Sequence, residues 1–330
     1  MAGYNTIRGL RVKYLSADPA GAEDGQVWYN STTGNLRVDG IALTASWASG
    51  GNLNTSRDTY MGGSRNGTQT AFRTAAGYAG TSNVTNNEAY NGTSWSEEAD
   101  VIQARRGAAG AGTEPAALIF GGYTGTAYVG ATEEWNGSSW SEQNDMSTGR
   151  DGMGSCGTQT AAITFGGNVP PRTNAAEEYN GSSWTAGGNM PAAFSNRMGL
   201  GIQTACLAVG GESGAGPTAS TQVDSYNGTA FSTLPASLPT AKQSGGGAGI
   251  QTAAVVFGGL TPPGSTVVST TLAYDGTSWT AQPNMAQAKL HWSAGGGTAA
   301  AAIAAGGNPQ TNATEEFTGA TIVVKNLSVS

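Results

Sequence analysis

Charge is scarce in this chain. Charged residues fill 11% of its 330 positions, less than half of the roughly 25% usual for soluble domains. Histidine occurs once and cysteine twice. One histidine cannot build a His-based metal cage, and two cysteines make no disulfide framework. Cys156 and Cys206 are therefore expected as free thiols, and no metal or cofactor is expected. Large aliphatic residues are also few, because much of the 38% hydrophobic content is alanine. That excludes a Leu/Ile-rich core and an ordinary helical enzyme domain. No run approaches 18 apolar residues, so no helical membrane span is expected. The first fifteen residues carry neither an apolar stretch nor a small-residue cleavage site, so no secretory signal is read. The 15 basic residues are unclustered and outnumbered by 22 acidic ones, a net charge of −7. Phosphate binding needs clustered Lys and Arg, so nucleic acid is not an expected partner.

Glycine and aromatic residues are plentiful. Glycine numbers 52, beside 8 Trp, 11 Tyr and 7 Phe. The glycines keep no period of three, which excludes collagen, and disordered chains are poor in aromatics.

The strongest signal is internal repetition. An apolar stretch ending in Gly-Gly reads GTEPAALIFGG at 112–122, GTQTAAITFGG at 157–167, GIQTACLAVGG at 201–211 and GIQTAAVVFGG at 249–259. Weaker copies start at Gly67 and Gly297. A second signature keeps the same rhythm: YNGTSW at 90–95, WNGSSW at 135–140, YNGSSW at 179–184, YNGTAF at 226–231 and YDGTSW at 274–279. A decayed copy, FTGATI, lies at 317–322. Six copies of each signature imply six repeats.

Asn-Gly or Asp-Gly between β-formers marks a tight hairpin, because the turn needs positive φ. The apolar stretch suits a strand buried on both faces. A fourth strand is expected between the Trp and the next leading glycine, for example over 150–155. Four short strands in a unit of about 46 residues is the plan of a propeller blade. The glycines after Phe120, Phe165 and Phe257 are expected at positive φ or in close backbone contact. Tyr and Trp of the hairpins are expected to pack between blades. Glu88, Glu133, Glu177, Asp224 and Glu315 recur two residues before the aromatic. A basic residue recurs ten positions after the Trp, at Arg57, Arg105, Arg150 and Lys289, so a structural ion pair within each blade is expected. The Asn-Gly-Ser/Thr triplets at Asn91, Asn136, Asn180 and Asn227 are read as turns rather than glycosylation sites.

The sequence Gly166-Gly167, Glu177, Tyr179, Trp184 and Asn189-Met190-Pro191 resembles the kelch-type β-propeller over roughly residues 48–323. The shorter Tyr-to-Trp spacing and the single complete Met-Pro depart from that pattern. Residues 1–46 stand outside the repeat. There, 26–29 and 35–38 alternate like strands about a polar 31–34 turn. This hairpin and the opening AGYNTIRGLRVKYLSADP (2–19) resemble the N-terminal parts of bacteriophage tail-fibre and other virion proteins. The expected fold is thus all-β: a six-bladed, kelch-like propeller over 47–330, behind a small N-terminal attachment segment with a β-hairpin over 1–46. Ring closure is open between two arrangements. Trp47 falls where an outer strand would lie, yet 320–324 also offers an outer strand to the sixth blade.

Enzyme signatures are weak. The single His291 removes the copper chemistry of some kelch propellers, and a surface or packing role is expected for it. Residues 137–140 match the tail of a sialidase box, but Trp135 occupies its Asp position. The recurrent carboxylates resemble a glycosidase pair in type, yet they repeat in every blade, whereas a catalytic site breaks symmetry. The loops after Gly-Gly vary most, and they hold Tyr78, Tyr123, Tyr128 and Arg172 among small hydrogen-bonding residues, the composition of a binding surface. Those four are the expected binding residues.

The resemblance implies a non-enzymatic virion structural protein on the phage exterior. It would attach to other virion proteins through its N-terminal segment and recognise a host-surface glycan through the propeller. Trimeric assembly is what the fibre resemblance implies. The alternatives are a decoration protein without a receptor, a polysaccharide-degrading enzyme and a protein-binding kelch scaffold.

Overall fold

The computed structural model describes residues 12–19, 27–39, 44–58, 62–63, 66–214, 218–262, 266–290, 295–320 and 324–327. His291, Gln26, most of the 2–19 opening, residues 321–323 and parts of the 212–222 and 260–271 loops lie outside them. The fold is all-β, and no helix occurs among the described residues. The chain divides into two compact units, residues 1–45 with 319–330, and residues 46–318.

The first unit is a four-stranded sheet built on the expected hairpin. Val27–Asn30 pairs antiparallel with Asn35–Asp39. The turn closes because Asn30 Oδ1 accepts the Thr32 and Thr33 amides, both at 3.1 Å, and Gly34 adopts φ +71°. Lys13–Leu15 adds a parallel strand on one side. Val324–Leu327 adds an antiparallel one on the other. Trp28 is buried, and its indole donates to Asp18 Oδ1 at 3.0 Å. Asn30 donates to the same oxygen, and Arg37 pairs with Asp18.

The second unit is propeller-like, a succession of small four-stranded antiparallel sheets. In chain order the first holds Gly62–Gly63, Phe72–Ala75, Asn87–Tyr90 and Trp95–Glu98. The second holds Ala109–Thr113, Ala116–Phe120, Thr132–Trp135 and Trp140–Gln143. The third holds Gly154–Gly157, Ala162–Phe165, Ala176–Tyr179 and Trp184–Ala186. The fourth holds Met198–Ile202, Ala205–Val209, Val223–Tyr226 and Phe231–Thr233. The fifth holds Gly246–Ile250, Ala253–Phe257, Thr271–Tyr274 and Trp279–Gln282. The sixth holds Gly295–Gly297, Ala301–Ala305, Thr314–Thr318 and, from the other end of the unit, Ser46–Ser49.

Residue chemistry explains the repeat. Each NG or DG turn closes on its own side chain: Asn136 Oδ1 accepts the Ser138 and Ser139 amides, both at 2.9 Å. Asn91, Asn180, Asn227 and Asp275 do the same. The apolar second strands are buried, Leu118, Ile119 and Phe120 completely. Gly166 shows why the strand ends in glycine. Its φ is +67°, and a Cβ there would lie 2.3 Å from the Phe194 carbonyl oxygen. Gly121 and Gly258 share the positive φ.

Neighbouring sheets are joined by aromatics, as expected, and by glutamine. Gln159 Nε2 donates to the Ala117 and Trp135 carbonyls of the preceding sheet. Gln203, Gln251 and Gln69 repeat this, Gln69 reaching Ala302 and Phe317 of the sixth sheet. Tyr179 and Tyr226 donate to Glu134 and Glu178 of the preceding sheet, and Tyr90 donates to Glu316 of the sixth at 2.6 Å. Between the first and second sheets, Arg73 lies 4.2 Å from the Trp135 ring centre and pairs with Glu114. Trp47 packs on Phe257 of the fifth sheet and donates to Thr271 Oγ1 at 3.0 Å.

Three expectations need correction. Cys156 and Cys206 form a disulfide, with Cα atoms 6.0 Å apart. Cys156 lies on the first strand of the third sheet and Cys206 on the second strand of the fourth, so the packing of one sheet on the next brings them together despite a separation of 50 positions. The C-terminal strand does not belong to the repeats: Val324–Leu327 extends the first unit, and Ser46–Ser49 supplies the sixth sheet's outer strand. The expected 47–330 domain accordingly gives up residues 319–330 to the first unit. Finally, the strand expected over 150–155 begins only at Gly154, because Arg150 is drawn into a buried ion pair in the connector before it.

Candidate binding site

Most of the polar chemistry in the repeats is consumed internally. Arg57 meets Glu88 at 2.8 Å, Arg105 meets Glu133 at 2.6 Å and Arg150 meets Glu177 at 2.9 Å, all buried. Each pair lies within one sheet unit, as the spacing predicts. The carboxylates also anchor the incoming connector: Glu88 accepts the Asn54 and Thr55 amides, and Glu133 those of Ile102 and Gln103. Burial lowers the affinity of Arg57, Arg105 and Arg150 for their protons, and the partner carboxylate restores part of it.

Three repeats vary the device. In the sixth, the ion pair expected of Lys289 is not formed: Lys289 donates to the Pro309 carbonyl at 3.0 Å, while Glu315 accepts the Ala286 and Gln287 amides. In the fourth sheet Phe194 takes the usual basic position. Arg197, three residues on, replaces the missing cation and pairs with Asp224 while lying 4.3 Å from the Phe194 ring. In the fifth sheet the carboxylate position holds Leu272. Lys242 is buried and donates instead to the Gly258 carbonyl at 2.5 Å and Thr270 Oγ1 at 2.9 Å. With no carboxylate to oppose it, burial pulls the Lys242 ammonium down to about 8.

The loops after Gly-Gly differ from this closed network. Three of the expected binding residues, Tyr78, Tyr123 and Tyr128, come together in the first two loops. The Tyr123 and Tyr128 rings lie 5.1 Å apart, tilted by 47°. Arg106, which the sequence reading did not single out, links them to Tyr78. Its guanidinium carbon lies 4.9 Å from the Tyr78 ring centre and 5.3 Å from that of Tyr123. Its only signal in the sequence is the Arg-Arg doublet, where Arg105 takes the recurrent buried place and leaves the next arginine without one.

Hydrogen bonds set the loops around this cluster. Asn83 Nδ2 donates to the Tyr123 carbonyl at 2.9 Å, tying the first loop to the second. Asn168 Nδ2 donates to the Tyr128 hydroxyl at 3.0 Å, tying in the third. Tyr123 closes its own turn by donating to the Gly125 carbonyl at 2.8 Å. Asp151 borders the group: burial pushes its carboxyl up to about 6, against hydrogen bonding from Asn168 and the charge of Arg106. The cluster is half-buried.

Arg172, the fourth expected residue, is spoken for. It pairs with Glu212 and donates to Ser195 Oγ and the Gly214 carbonyl, clamping its loop to the next. Among the described residues no group of three or more His, Cys, Asp or Glu side chains is placed to hold a metal ion. The arrangement offers stacking faces, hydroxyls and one cation, which are the means of non-covalent recognition. Neither a family model nor a curated protein matches the chain.

Proposed function

We propose that this chain is a structural protein of a bacteriophage virion, of the tail-fibre kind. In this reading residues 46–318 form a closed, six-bladed, kelch-like propeller that displays a glycan-binding face to the host. The observation that carries the reading is the contrast between the loops and the frame. The frame locks its arginines into pairs, whereas the loops gather Tyr78, Tyr123 and Tyr128 about Arg106 with half-buried ring faces.

Contacts from Tyr90, Trp95 and Gln69 to the sixth sheet support closure. The Cys156–Cys206 disulfide suits an extracellular particle, since such bonds persist in oxidising surroundings. The N-terminal hairpin, likened above to virion proteins, is the proposed attachment module. Attachment in several copies, in trimers as fibres assemble, multiplies weak contacts into firm adsorption. The action is non-covalent, without metal or cofactor, because the repeated carboxylates are engaged with connector amides and arginines rather than grouped about a cleft.

A glycan array and adsorption of the purified chain to host cells test the proposal. Binding in either supports it. Silence in both favours a decoration protein without a receptor, a reading helped by the full internal use of Arg172. Release of reducing ends from host polysaccharide would instead reveal an enzyme. Antibody labelling of particles in the electron microscope locates the chain on the virion.

A further inference from the structure

Eight arginines lie among the described residues, and seven of them, Arg37, Arg57, Arg73, Arg105, Arg150, Arg172 and Arg197, each meet a carboxylate within 4.0 Å. Arg106 is the exception. No carboxylate of the described residues pairs with it, and none of its side-chain nitrogens is a buried atom lacking a partner. Tyrosine rings hold its guanidinium instead. Ring contacts of this kind fix the plane of a weakly hydrated cation and leave the rim N–H donors uncommitted.

We infer that Arg106, with Tyr78, Tyr123 and Tyr128, is a subsite for a carboxylate-bearing sugar, such as a hexuronate unit of an acidic surface polysaccharide. A planar carboxylate matches the guanidinium fork with two parallel hydrogen bonds, and the pyranose ring, with its apolar C–H face, lies against tyrosine. A neutral sugar would leave the cation only the charge of Asp151, which borders it without forming an ion pair. The inference rests on the glycan-binding reading and adds the charge and shape of the unit bound.

The test is isothermal titration calorimetry of the full chain with three tetrasaccharides matched in length: one containing hexuronate, one neutral and one sulfated. It is run on the native chain and on Arg106→Gln and Arg106→Lys, with thermal melts confirming that each variant folds. The hexuronate ligand is expected to bind. Arg106→Gln should weaken it about 10- to 100-fold, the worth of hydrogen bonds to a charged group, and Arg106→Lys should recover only part of that loss. Preference for the neutral or the sulfated ligand, or hexuronate binding indifferent to Arg106, overturns this inference and leaves glycan recognition standing. No binding of any tetrasaccharide by a chain that still adsorbs to host cells likewise overturns the inference and leaves receptor binding standing. Absence of both overturns the two together.

Discussion

The buried ion pairs are the residues on which the frame depends most. Arg150 and Glu177 illustrate the balance, because Glu177 also accepts the Ser147 amide that opens its connector. Arg150→Met keeps the volume but leaves the carboxylate buried without a cation. Breaking a buried pair from one side costs about 3–5 kcal/mol, so the unfolding midpoint in urea should fall clearly; an unchanged midpoint would reject a structural role. Asp151 makes the opposite case. Its carboxyl is raised to about 6 from an ordinary 3.8, so between those values the folded state holds a proton that the unfolded state has released. Stability from this group is present below about pH 4 and declines as pH rises through 6. Asp151→Asn should flatten that decline and raise the melting temperature at pH 7.5 by about 2–4 °C, read by calorimetry across pH 4–8.

At the scale of strands and sheets, the disulfide is the one covalent tie between sheets among the described residues. A bond closing a loop of this size contributes about 2–4 kcal/mol. Replacing both cysteines with alanine should lower the melting temperature, with the loss absent when native and variant are compared under reductant. The four-strand repeat, the NG turns, the buried apolar strands and the pairs of Arg57, Arg105 and Arg150 were legible in the sequence, since each depends on local chemistry repeated at a fixed interval; Arg197, which pairs with Asp224 from outside that interval, was not. The disulfide was not. Cys156 sits one place before its leading glycine and Cys206 five places after the next, so the repeat offers no hint that they face one another. The glutamine ties were missed for a different reason. Gln69, Gln159, Gln203 and Gln251 recur two places after the leading glycine, but only the stacked sheets reveal the carbonyls they reach. Of the candidate site, the three tyrosines were found through loop composition. Arg106 was hidden by its neighbour, and the pairing of Arg172 could not be read because its partner Glu212 lies in another loop.

On the scale of the whole molecule, the sixth sheet is completed by the strand that opens the second unit. Trp47 is its main side-chain anchor, 5.0 Å from the Phe257 ring and 5.3 Å from that of Phe317. Trp47→Ala in the full chain should destabilise the repeat unit by about 2 kcal/mol, the worth of one large apolar side chain. Urea unfolding followed by circular dichroism measures it, and no loss would argue that another segment seals the last sheet.

The same pairing has a further consequence. Ser46 stands opposite Thr318 in the register, so the repeat unit begins and ends at one spot. The strands that flank it in sequence, Asn35–Asp39 and Val324–Leu327, are themselves partners in a single ladder. The repeats are thus a cassette spliced into one hairpin. Any module with adjoining ends fits the same slot, so the repeat unit as a whole is open to exchange without loss of the ladder that flanks it.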